Sequence, residues 1–164
     1  MAKNLLLTQK NSDREKSMTD LKISFVDQIP KEIEEKMEEG LNEYAISQGV
    51  DVNYKPFAFL LCNDKNEVIG VLDAFSSYSC IHIRDLWVDK PYRGKGYGRK
   101  LIAELEKYCN GKGFNNINLI TCAFQAPDFY KKCGFEVEFV RKNIENPKLT
   151  MTFFIKNFDY TTES

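Results

Sequence analysis

At 164 residues the chain is long enough for one domain with a sizeable core and too short for two comfortable ones. It is 43% hydrophobic and 13% aromatic, which argues for a globular fold. Its 23 basic residues nearly balance 24 acidic ones, so nothing in the overall charge marks a nucleic-acid binder.

Residues 1–20 are polar and without period, the pattern of a flexible tail, with Met18 a candidate second start. Residues 21–164 read as a single domain. Residues 21–26 alternate apolar and polar, which predicts the first strand. Pro30 opens a helix whose apolar face is Ile33, Met37, Leu41 and Tyr44. Glu32, Glu34, Glu35, Glu38 and Glu39 crowd the rest of it. That acidic face is either simply solvated or draws a cationic acceptor toward a gate. Gly49-Val50-Asp51 ends the helix. Residues 57–62 and 67–75 form a hairpin around Asn63-Asp64-Lys65-Asn66. Gly70 within it suggests a bulge or a close backbone approach. After Ser76-Ser77-Tyr78-Ser79 comes a strand at residues 80–88. A helix at 101–109 buries Leu101, Ile102, Leu105, Tyr108 and Cys109. A short strand at 116–121 and a short helix at 125–132 follow, the helix with Pro127 in its first turn and Gly134 at its end. Phe135, Val137 and Phe139 alternate as one strand; Leu149, Met151, Phe153 and Ile155 alternate as the last. Strands interleaved with helices, then a terminal hairpin, predict a mixed α/β sheet.

No apolar run reaches the length of a membrane span, and Leu5-Leu6-Leu7 is too short for a signal-peptide core. Cys62, Cys80, Cys109, Cys122 and Cys133 are odd in number and lack CxxC spacing, which points to reduced thiols in a cytoplasmic protein. With one histidine, a zinc site is not expected.

The most informative stretch is Arg93-Gly94-Lys95-Gly96-Tyr97-Gly98-Arg99, between the 80–88 strand and the following helix. Its alternate glycines let backbone amides converge at a helix start, an anion-binding nest. Arg93, Lys95, Arg99 and Lys100 add positive charge. The Walker pattern fails because Arg99 stands where its second glycine is needed. The dinucleotide fingerprint fails at Arg99 or Leu101, depending on the starting glycine.

What fits is Arg-x-x-Gly-x-Gly on Arg93, Gly96 and Gly98, preceded by Leu86-Trp87-Val88. This resembles the acyl-CoA signature of the GNAT (Gcn5-related) N-acetyltransferases. Phe129-Tyr130-Lys131-Lys132-Cys133-Gly134-Phe135 resembles the family's C-terminal motif, with Ala126 also matching and Ala123 replacing a frequent asparagine. Phe124-Gln125-Ala126-Pro127 resembles a subgroup of uncharacterised bacterial acetyltransferases. The resemblance runs from about Leu21 to Phe158.

It implies a GNAT fold, with a mixed central sheet, splayed central strands, flanking helices and a C-terminal β-hairpin. It assigns the backbone of Leu86, Trp87 and Val88 to the pantetheine arm of acetyl-CoA. The amides of Arg93, Gly94, Lys95, Gly96, Tyr97, Gly98 and Arg99 go to its pyrophosphate. Phe129 and Lys132 join the co-substrate site, and an N–H near Val88 polarises the thioester carbonyl. Tyr130 matches the tyrosine that protonates the leaving thiolate; a core aromatic with a satisfied hydroxyl is the competing reading. His82 stands where some members carry a glutamate base, and its ordinary pKa of ~6.5 suits proton abstraction. Asp85 and ordered water compete for that task, and His82 also reads as a plain strand residue. Cys133 has no activating histidine in the motif and is not a nucleophile.

The implied function is acetyl-CoA-dependent N-acetylation of a small-molecule or peptide primary amine, by direct attack in a ternary complex. The alternative is a non-catalytic acyl-CoA sensor. Neither nucleic acid nor membrane is an expected partner, and a homodimer is left open.

Overall fold

The computed structural model describes residues 21–158, so the tail expected over residues 1–20 lies outside the described residues. The chain divides into two compact units, Met1–Glu43 and Tyr44–Ser164.

Residues 21–26 are irregular, not the strand that their alternation predicted. Alternation can mark a face, but a strand also needs a neighbour to take its N–H and C=O groups. Leu21, Ile23 and Phe25 are exposed. Helix α1 (Lys31–Ser47) starts one residue later than expected. The Ile33 and Glu34 amides donate to the Pro30 carbonyl at 2.9 and 3.0 Å, so Pro30 caps the helix. At the other end Val50 N–H reaches back to the Ala45 carbonyl at 3.0 Å, past Gly49 with φ 74°. Ile33, Met37, Leu41 and Tyr44 are all exposed.

The second unit is built on a six-stranded mixed sheet in the order β1-β2-β3-β4-β6-β5. Its strands are β1 (Lys55–Cys62), β2 (Val68–Ser77), β3 (Cys80–Val88), β4 (Asn116–Cys122), β5 (Glu136–Arg141) and β6 (Met151–Asn157). Among the described residues only β3 and β4 pair in parallel; α2 (Tyr97–Cys109) makes the crossover between them. The short α3 (Pro127–Lys132) joins β4 to the β5–β6 hairpin.

The core lies between the sheet and α2. Leu101, Ile102, Leu105 and Cys109 project from α2 onto Leu72, Ala74, Ile81, Ile83, Ile117 and Leu119. In β2 the buried residues recur at every second position from Gly70 to Ser76, as expected with one face under a helix. Gly70 meets both of its expectations. A register shift follows Leu61↔Gly70, and a Cβ on Gly70 would lie 3.3 Å from the Trp87 carbonyl and from Leu101 Cδ1.

The terminal hairpin departs in detail. A bulge between Val137 and Phe139 breaks the expected alternation, and both side chains are exposed on an edge strand, while Phe135 is buried just before it. Leu149 belongs to a 3-10 turn, Pro147–Leu149, instead of β6.

Leu105 is fully buried. Leu105→Ala should lower unfolding free energy by about 2–5 kcal/mol through lost burial and a residual cavity. Leu60→Ala, on the exposed side of β1, should change it by under about 0.5 kcal/mol. Urea unfolding of both variants checks the assignment of this face.

Candidate active site

The site begins where β3 leaves β4. Their parallel pairing runs only from Cys80↔Asn116 to Ile83↔Leu119. On its other side β3 stays paired with β2, but the register jumps from Ala74↔Ile83 to Asp73↔Asp85. Arg84 is therefore an extra residue, a β-bulge, and it bends the strand at the point of departure. Beyond it, residues 85–88 have β2 on one side and no strand on the other among the described residues. The bulge also shifts the phase. Ile81 and Ile83 face the core before it; Leu86 and Val88 pack against the core after it.

The chain then turns over Lys90–Tyr92, with the Asp89 carboxylate accepting from the Lys90 amide at 2.7 Å. Arg93 Nε donates to the Val88 carbonyl at 2.8 Å and fastens the loop to the end of β3. Gly94 and Gly96 take φ of 73° and 82°, the left-handed region that disfavours a Cβ. Gly96 is the N-cap of α2 and offers no side-chain cap. The first turn closes with Lys100 N–H on the Gly96 carbonyl at 3.1 Å. None of the amides of residues 94–99 donates a hydrogen bond among the described residues. Those free N–H groups form the positive end of a helix of 13 residues.

Helix α3 closes the other wall. Gln125 Oε1 accepts from the Cys122 amide at 2.7 Å and from Thr121 Oγ1 at 3.0 Å, which turns the chain out of β4. The Phe129 ring then lies so close to Gly98 that a Cβ there would be 3.1 Å from it. Gly98 is thus required by contact, whereas Gly94 and Gly96 are required by φ. Tyr130 is ringed by Phe129, Phe135 and Phe154 at centroid distances of 5.1, 5.9 and 5.9 Å. Burial pushes its phenol up to about 12, with smaller contributions from Cys133 and Asp85. Burial also raises the Cys133 thiol, against the opposing pull of Arg99 and Lys156.

Between these walls is a cavity of about 690 Å³. Leu86, Trp87, Val88, Arg93, Gly94, Gly96, Tyr97, Gly98, Arg99, Phe129, Tyr130 and Lys132 line it, together with Tyr92 and Ala126. The sequence matches the acetyltransferase (GNAT) family over residues 22–135. The chain belongs to this family.

Blasticidin-S acetyltransferase from Streptomyces morookaense is 33% identical over 82 residues, 49% of this chain and 60% of that protein. The chain thus spans less than two thirds of this curated relative's length. An acetyltransferase from Bacillus cereus ATCC 14579, of known crystal structure, is 26% identical with a TM-score of 0.68; the match covers 82% of this chain and 98% of that one. A protein assigned as a streptothricin acetyltransferase from Bacillus anthracis str. Ames was solved in complex with acetyl coenzyme A. It is 25% identical with a TM-score of 0.57, covering 66% of this chain and 65% of that one.

Two residues expected in the GNAT site lie outside the cavity wall. Lys95 directs its ammonium to the Tyr92 ring, 5.6 Å from the centroid. His82 is in the closed part of the sheet, between Phe75 on β2 and Asn118 on β4. Its ring stacks on Phe75 at 5.1 Å. The nearest cavity residue on its strand, Leu86, is four positions on, about 13 Å at ~3.3 Å per residue. Asp85 is not in the cavity wall either, but it is exposed, adjoins the wall residue Leu86, and its charge reaches Tyr130. Tyr92 and Ala126 were not expected in the wall. Tyr92 belongs to the Lys90–Tyr92 turn and Ala126 to the Phe124-Gln125-Ala126-Pro127 run.

The phenol shift has a consequence for stability. The unfolded Tyr130 ionises near its ordinary ~10, and the folded one near 12. The folded state therefore keeps its proton longer, and stability falls as pH rises from about 10 to about 12. Tyr130→Phe should flatten that fall, measured by urea unfolding across alkaline pH. Cys109, pushed up to about 11 by burial, contributes a similar slope in both proteins.

Proposed function

We propose that the protein transfers an acetyl group from acetyl-CoA to a primary amine, by direct attack in a ternary complex. The carrying observation is the row of free amides at residues 94–99, on a cavity wall that continues into the unpaired edge of residues 85–88. A polyanion suits the first and an amide-bearing arm suits the second, as a strand would. The pyrophosphate of acetyl-CoA would rest on the amides, with Arg99 and Lys132 beside it, and the pantetheine arm along Leu86, Trp87 and Val88. Tyr97 and Phe129 complete the walls of this site. The blasticidin-S relative supports an amine as acceptor.

In the reaction the acceptor ammonium loses a proton, and its nitrogen forms a bond to the thioester carbonyl carbon. The C–S bond breaks and the electron pair leaves on sulfur. We assign the first proton to Asp85, directly or through water, in place of His82, whose ring is held against Phe75 away from the cavity. Tyr130 gives the departing sulfur an O–H donor. A phenol near 12 lies some way above a thiol near its ordinary ~8.5, so the hydroxyl stabilises the thiolate by hydrogen bonding and solvent completes its protonation. Cys133 has its thiol held protonated by burial, which supports a path without an acyl-enzyme.

The Phe124-Gln125-Ala126-Pro127 run resembles the bacterial-type subgroup; within it Gln125 turns the chain and Ala126 lines the wall. All five cysteines are free, which fits a cytoplasmic setting.

Gly96→Asp tests the nest. No atom lies within 4 Å of the Cβ position, but the φ of 82° strains any side chain there, so the variant's fold is checked by circular dichroism before its affinity is read; Asp tolerates the left-handed region better than most residues. Calorimetry should show acetyl-CoA affinity reduced at least about tenfold. Unchanged affinity in a folded variant rejects the site. Free-thiol release over an amine panel tests turnover; acetyl-CoA binding with no turnover on any amine would favour the sensor. Tyr130→Phe should lower kcat about 100-fold, the low end for such groups, with acetyl-CoA affinity nearly constant.

A further inference from the structure

The bulge at Arg84 sets a physical problem. The register places Asp73 directly opposite Asp85 on one face of the sheet. Like charges in that position destabilise a strand pair. The extra residue offsets this repulsion. Arg84 makes a two-point fork onto Asp73, with Nη2 on Oδ1 at 2.9 Å and Nε on Oδ2 at 2.9 Å. Its guanidinium also lies 5.6 Å from the Phe75 ring centroid, and Phe75 is stacked on His82 and tilted against Tyr54. Asp73 is thereby neutralised. Asp85 has no ion pair among the described residues.

We infer that Arg84 and Asp73 are positioning residues for acetyl transfer. Their fork fixes the bulge at Arg84, and with it the place of Asp85 and of the open edge that follows. A neighbouring register competes. If Asp85 became the extra residue, Arg84 would pair directly opposite Asp73, itself an attractive pair, and Leu86 would still face the core opposite Leu72; what that register would have to rebuild is the two-point fork and the Arg84 contact with the Phe75 ring. That alternative separates the two carboxylates and keeps the apolar pattern. It also moves Asp85 out of the strand position it holds beside Leu86. Hydrophobic patterning cannot choose between the two registers, because both bury the same side chains. Without the fork, repulsion favours the alternative.

The fork is partly solvated, with side-chain exposures of 42% for Arg84 and 33% for Asp73. Its loss should therefore cost little stability, and its effect should appear in function. This inference rests on the proposed transferase activity, with Asp85 taking the acceptor's proton.

The test is a pair of variants. Arg84→Ala leaves the two carboxylates facing each other. It should lower kcat/KM at least about tenfold and move the thermal midpoint by no more than about 4 °C. Adding Asp73→Asn removes the repulsion without restoring the fork. The double variant should recover to within about threefold of wild type, a non-additivity of opposite sign to that of a simple ion pair. Asp73→Asn alone frees Arg84 to pair with Asp85, so kcat should fall while acetyl-CoA affinity is retained. Unimpaired Arg84→Ala, or a double variant as poor as Arg84→Ala, overturns the inference. If the wild type itself fails to turn over, the transferase reading fails instead. The fork is then judged by amide hydrogen exchange at residues 85–88. Exchange should quicken in Arg84→Ala and return in the double variant; equal exchange in all three proteins overturns the positioning role.

Discussion

Everything that distinguishes this sheet from an ordinary mixed sheet follows from β3 leaving β4 after Ile83. A parallel pair that continued to Val88 would satisfy its backbone groups and leave no opening. Departure leaves N–H and C=O groups without a strand partner on one side of residues 85–88, which a buried structure tolerates poorly. They are tolerated here because they border a cavity of about 690 Å³. The same break creates both the space and the hydrogen-bonding edge that borders it. The other edge of β3 remains paired with β2 to Gly70↔Val88, so the opening has a rigid floor.

Helix α2 does two opposed things along its length. Leu101, Ile102, Leu105 and Cys109 are buried and hold it to the sheet. Its first turn is left polar and uncapped. A Ser or Asp at Gly96 would be the usual stabilising choice for a helix start. It would also satisfy an amide from within and compete with any anion. Gly96 gives up that stabilisation and adopts a left-handed φ, and the amides stay available. The Arg93 side chain bonds to the Val88 carbonyl instead of reaching outward, so the loop is fixed before any ligand arrives.

The sequence made the glycine loop, α2 and the α3 motif legible because each carries a local signal: alternate glycines, a helical apolar stripe, and proline and glycine at the two ends. The hairpin and the core strands were legible by alternation. The bulge was not recognised, although its trace is present. Apolar residues stand at 81 and 83, then at 86 and 88, and the phase changes across Arg84-Asp85. His82, matched to a base position by the resemblance alone, stands before that change and so lies in the closed part of the sheet. The strand expected at residues 21–26 failed for another reason. Its alternation was real, but pairing is a property of two segments, and one segment's pattern cannot supply the partner. The Lys95 side chain lies on the Tyr92 ring, while its amide stays in the free row of residues 94–99.

The two groups proposed for the reaction, Tyr130 and Asp85, also act on each other. Burial is the largest cause of the raised Tyr130 phenol, Cys133 the next and Asp85 the third. The Asp85 contribution is therefore small, but its sign matters. While Asp85 is ionised it helps keep the phenol protonated and a poor acid. In the proposed sequence Asp85 takes the acceptor's proton first, and its charge disappears. The phenol then becomes a better donor at the stage when sulfur departs with an electron pair. The effect is small beside burial, and it adds to the hydrogen bond that the phenol gives to sulfur.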